Sequence, residues 1–97
     1  MLEHNEFQTA KQCFKNADRF ITSTIHWITE VYRLTPSQQA DLDRLDAKRI
    51  AIRDAGYDKY SVMPAIEAIL GVQNSVQDIM FKVSRGAAKA SKVKARR

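Results

Sequence analysis

The chain has little of what punctuates or cross-links a fold: among its 97 residues are one cysteine, two prolines and three glycines. The lone Cys13 has no internal disulfide partner, so nothing argues for an oxidising compartment. With so few breakers and no long alternation of apolar and polar residues, an all-β architecture has no support and helices are favoured. A bilayer span, which needs about 20 apolar residues, is missing too. The most apolar stretch, Phe20 to Leu34, is 15 residues long and contains His26, Glu30 and Arg33. The opening MLEHNEFQTAKQ is mixed and acidic where a secretory signal would be basic and then apolar, so no targeting peptide is expected and the expected location is the cytoplasm. There is no nucleophile elbow, no glycine-rich phosphate loop and no catalytic pair of carboxylates. We therefore expect neither an enzyme nor a cofactor.

What the chain does have is 44% hydrophobic residues, enough for one modest core, and a lopsided charge. Residues 1–81 hold nine Lys and Arg against eleven Asp and Glu, whereas residues 82–97, KVSRGAAKASKVKARR, hold seven cations and no acid. The body is near neutral and the end is polycationic, a split that points to a polyanionic partner.

Apolar spacing predicts three helices. In the first, over about 3–34, Phe7, Phe14, Ile21 and Ile28 recur every seven residues and Ala10, Ala17, Thr24 and Val31 follow three later, a continuous seam. A second row, Cys13, Phe20, Trp27 and Leu34, lies beside it. Cys13 reads as a small core residue. The row as a whole is more apolar surface than one neighbouring helix covers, so Phe20, Trp27 and Leu34 are a candidate protein interface unless the third helix covers them. Thr35, Pro36 and Gln38 form a capping-box start for a second helix over about 36–55. It carries a thin seam of Leu42, Leu45 and Ile52, the ion pairs Asp41–Arg44 and Asp46–Arg49, and Gly56 as its stop. The third helix, over about 62–85, takes Ser61 as cap. Its inward face is expected to be Ile66, Ile69, Leu70, Val76, Ile79, Met80 and Val83. The fold expected is an all-α three-helix bundle with a long N-terminal helix and a basic C-terminal extension over 86–97.

Two readings of that extension stand. Either Gly86 ends the helix and a solvated tail follows, or the helix continues and Lys82, Arg85, Lys89, Lys92 and Arg96, spaced three and four apart, share one face. Under both, Lys82, Arg85, Lys89, Lys92, Lys94, Arg96 and Arg97 are candidate phosphate contacts, blind to base sequence. No aromatic residue lies among them to stack on bases. Tyr57 and Tyr60, nearby in the connection, are expected to seal a core edge.

The stretch AIEAILGVQNSVQDIM resembles the middle of a helix-turn-helix DNA-binding unit, with Ile66, Leu70, Gly71 and Val72 matching its pattern. Glu67 stands where that family packs a small residue, and Val76 comes one residue early. A single continuous helix through Gly71 fits the apolar spacing better. Other clusters read as solvated: His26 and Glu30 lack a third metal ligand, and Asp41, Asp43 and Asp46 lack the glycine turn and closing Glu of a calcium loop.

The functional expectation is a small non-enzymatic nucleic-acid-associated protein of the size and composition of a bacterial or phage accessory protein, self-associating through its first helix. The alternative is an adaptor or inhibitor that docks through Phe20, Trp27 and Leu34, or that meets an acidic protein with its cationic end. Association with anionic membrane by electrostatics alone is weaker, because the tail has no Trp, Phe or Leu to insert.

Overall fold

Seven-residue spacing in a helix returns to nearly the same face, so the first seam becomes one buried stripe. In the computed structural model, which describes residues 4–90, Ala10, Phe14, Ala17, Ile21, Thr24 and Ile28 are all buried along α1 (His4–Val31). α2 (Pro36–Ala55) and α3 (Val62–Ala90) follow, and no strand occurs among the described residues. The chain is all-α. None of these helices is long and apolar enough to cross a membrane.

α1 stops three residues before the expected Leu34. Thr35 precedes a proline, which disfavours helical backbone there, and it is extended at φ −72° and ψ 158°. That geometry lets Thr35 Oγ1 accept from the Gln38 N–H at 3.1 Å while the Gln38 side chain accepts from the Thr35 N–H at 2.9 Å. The capping box is complete, and the three residues before Thr35 are spent on the turn. At the other end of α2, Gly56 adopts φ 72° and ψ −177°, a region essentially reserved for glycine, and its N–H donates to the Arg53 carbonyl.

Cross-helix contacts set the direction of travel. Arg49 in α2 reaches Asp18 in α1, and Tyr57, just past α2, lies 4.9 Å from the Phe14 ring and edge-on to Phe7 at 6.5 Å. α2 therefore runs back down α1, and Tyr57 seals the lower end of the core. Tyr60 does not share that role and is exposed. α3 then runs up beside α1, since Asn5 to Phe20 of α1 face Met63 to Gln73 of α3 across a common groove. The result is an up-down-up bundle.

The core centres on the α1 seam. Ile21, Ile28, Leu42, Ile69, Val62, Val72 and Val76 are the fully buried side chains, each of the larger ones contributing about 1.5–3 kcal/mol by burial. Of the inward face expected for α3, Ile66, Ile69, Val76 and Val83 are buried and Ile79 and Met80 pack against the core. Leu70 does not belong to it: it is 42% exposed, and Val62 and Val72, missed by the spacing argument, complete the stripe. Leu70 sits about 100° around the helix from Ile69, which carries it onto the flank.

α2 is as narrow as expected, with Leu42 buried and Leu45 and Ile52 partly so. Its fourth inward group is charged. The Arg49 guanidinium, 8% exposed, donates from Nη1 to Asp18 at 2.7 Å and from Nε to Asp46 at 2.9 Å. Burial works against its charge, but the hydrogen bonds and charges of Asp18 and Asp46 outweigh it and raise the pKa above the ordinary arginine value. The fork ties α2 to α1 where an aliphatic chain would leave the angle between the helices free.

Ser61 stands where expected, directly before α3, and its carbonyl accepts from the Ala65 N–H at 3.2 Å. Its side chain is engaged instead with the preceding turn, which Asp58 closes: the Asp58 Oδ1 accepts from the N–H groups of Tyr60 and Ser61 at 2.8 and 3.0 Å. Ser61 reciprocates by accepting from the Asp58 N–H through Oγ. The Tyr60 N–H bond, with those from Ser61, holds the Asp58 carboxyl below its ordinary pKa.

Two stability measurements check these contacts. An ammonium cannot fork to two carboxylates as a guanidinium does, so Arg49→Lys is expected to cost about 1–2 kcal/mol in urea unfolding; unchanged stability would mean the fork contributes nothing net. Because the Asp58 pKa is depressed in the folded chain, its contribution is complete above the ordinary carboxylate value near 4. It is lost as pH falls from there through the lower folded value. Asp58→Asn, which keeps a capping oxygen without a titrating group, should flatten that part of the acid-unfolding curve.

Candidate functional site

The basic end begins on α3. Lys82 and Arg85 are exposed, and neither joins an ion pair among the described residues. The arginines of α2 contrast with them, since Arg44 pairs with Asp41, Arg49 with Asp18 and Asp46, and Arg53 with Asp54. The helix does not stop at Gly86, where a Cβ would meet open space, but runs on to Ala90. Lys89 thus lies in its last turn, and the backbone positions of residues 82, 85 and 89 share one face. Lys92, Lys94, Arg96 and Arg97 lie outside the described residues.

The second apolar row of α1 remains uncovered. Phe20 is 38% and Trp27 45% exposed, and Trp27 meets only the edge of Tyr32 at 5.3 Å among aromatic neighbours. Cys13 is exposed as well, not a core residue: the row lies on the flank of α1 away from α2, and α3 covers the seam beside it without reaching over. Leu34 departs from the row in the opposite sense. Beyond the end of α1 its backbone no longer follows the helix, and it packs, partly buried, against the core.

Between α1 and α3 the uncovered flank forms an open groove of about 910 Å³. Cys13 and Phe20 form one apolar wall and Met63, Ile66 and Leu70 the other, with Thr9, Asn16 and Gln73 on the rim. Of its lining residues only Glu6 is charged. Heptad spacing carries the α1 wall on to Trp27. On α3, Phe81 is eleven residues after Leu70, close to three full turns, and continues the other wall at 56% exposure. This wall lies beside the single inward stripe expected for α3. The signal was present in Met63 and Leu70, seven apart and flanking the stripe.

No three His, Cys, Asp or Glu side chains converge as a metal set among the described residues. His26 and Glu30 are both exposed. Asp41 and Asp46 are engaged by Arg44 and Arg49, and Asp43 accepts from Gln39 at 3.0 Å, all on continuous helix. Tyr57, whose burial raises its pKa, is occupied with the core.

The stretch that resembles a helix-turn-helix unit contains no turn. α3 passes through Gly71 unbroken, so no recognition helix is set off from a preceding one. No family model, curated protein or solved structure matches this chain.

The unbroken helix has a direct check. A Cβ added at Gly71 meets no atom within 4 Å, so Gly71→Ala should stabilise the chain by about 0.5–1 kcal/mol through helix propensity. A turn at this point would reverse the sign, and thermal unfolding reads the difference.

Proposed function

We propose that this is a small non-enzymatic helical protein that associates with nucleic acid, holding the phosphate backbone through the basic end of α3. The observation that carries the reading is the continuation of α3 past Gly86 with Lys82 and Arg85 exposed and free of acidic partners. α3 places the backbone of Lys82, Arg85 and Lys89 at three- and four-residue steps, and the sequence holds seven cations from Lys82 to Arg97 without an intervening acid. Clustered cations release counterions from a polyanion, which supplies affinity without sequence preference. The tail has no aromatic residue, and in the connection Tyr57 is engaged with the core, which leaves the exposed Tyr60 as a single ring rather than a series on which successive bases stack. Binding to duplex by charge alone is the expected mode, in a cytoplasmic setting.

A second reading is favoured by the half-exposed Phe20 and Trp27. On it the chain is a protein-binding adaptor or inhibitor, docking through the groove.

Anisotropy of a labelled non-specific duplex at several salt concentrations separates the two. With all seven cations engaged, the slope of log K against log salt approaches about −6, and a chain ending after Arg85 retains a slope of about −2 at most. Binding that survives the truncation unchanged, or no binding at low salt, overturns the phosphate reading.

A further inference from the structure

We propose that the face formed by the groove between α1 and α3 and its continuation to Trp27 and Phe81 is the interface of an antiparallel two-fold dimer, covered by the same face of a second copy. The inference does not rest on the phosphate reading, but it engages Arg85, which in the dimer faces an acid of the second copy and leaves the other six cations for phosphate. Three observations carry it.

The first is a shared centre. The α1 lining of the groove, Asn5 to Phe20, is centred near Cys13 and the α3 lining, Met63 to Gln73, near Ala68, and we take these two centres as level. Moving up both parallel helices by equal rise brings Phe20 level with Ser75 and Val76. On α1, Phe20 is the midpoint of the row from Cys13 to Trp27. On α3, the midpoint between Leu70 and Phe81 also falls between Ser75 and Val76. A two-fold axis at that level, perpendicular to the helices, sets Phe20 against the partner's Phe20, Cys13 against the partner's Trp27, and Leu70 against the partner's Phe81. Each of these five apolar groups of one copy then meets an apolar group of the other.

The second is charge. The same axis places Glu67, near the start of α3, opposite Arg85 of the partner subunit. Both side chains are exposed, and neither is in an ion pair among the described residues. The two crossings of this pair flank the apolar centre, with Asn74 facing Gln77 of the partner subunit between them. A parallel arrangement brings α1 of one copy against α3 of the other and leaves Glu67 and Arg85 without each other.

The third is size. Phe20, Trp27, Met63, Leu70 and Phe81 expose between 38% and 56% of their surfaces. At roughly 200 Å² a side chain this is about 450 Å² per copy. Two copies bury about 900 Å² from these ten side chains, and the polar rim carries the total into the range above about 1,200 Å² typical of stable interfaces.

Sedimentation equilibrium of the full chain, treated with nuclease so that bridging by nucleic acid does not count, is expected to give a dimer. Glu67→Arg alone and Arg85→Glu alone each set like charges across the axis and should raise the dissociation constant about tenfold, with helicity unchanged. The double exchange Glu67→Arg with Arg85→Glu should restore it. The register is read by oxidation. Phe20→Cys on a Cys13→Ser background should form a covalent dimer, whereas the parent chain should not, because Cys13 and the partner's Cys13 lie about 21 Å apart along the axis at about 1.5 Å per residue and a disulfide needs Cα atoms within about 7 Å. A monomer at high micromolar concentration overturns the proposal. So does a dimer that the double exchange fails to restore, or a parent chain that cross-links through Cys13.

Discussion

The structure depends on how the apolar seam of α1 is covered. From Ala10 to Ile28 that seam is too long for a short partner and too apolar for water. α3 is the only other helix with a comparable stripe, and it lies parallel to α1 because the intervening α2 must run back down to deliver it. Everything else in the bundle follows from this pairing. α2, with little apolar surface of its own, fills the remaining angle and contributes Leu42 and the Arg49 fork.

Arg49 shows why a polar helix still docks in one place. Replacing a buried ion pair by aliphatic side chains is often neutral in stability, so the fork to Asp18 and Asp46 is better understood as fixing where α2 sits than as the source of its binding energy. The larger contribution comes from side chains such as Leu42, at about 1.5–3 kcal/mol. Packing supplies the attraction, and the two carboxylates choose the register.

A three-helix bundle built around one seam has an open side when α1 carries a second apolar row. Here the open side is the groove, and its two walls belong to the two helices that already form the core. The charged segment lies at the upper end of one of those same helices. The apolar face and the cationic end are thus held rigidly relative to each other through α3, at least as far as Ala90.

Periodicity by itself determined that the chain is helical, where α2 begins, and which face of α1 is buried, because helix spacing and capping chemistry are local. Thr35, Pro36 and Gln38 act through neighbours three residues away, and Phe14, Ile21 and Ile28 share a face whatever surrounds them. The exposed, unpaired state of Lys82 and Arg85 was foreshadowed by the lack of acids after residue 81. Tertiary structure alone decided that Cys13 is exposed, that Leu70 lies in a groove wall, that Leu34 turns inward, and that Asp18 reaches Arg49 across 31 positions. These depend on how far each helix rotates about its axis against its neighbours, a quantity set by packing between distant segments and carried by no short stretch of sequence.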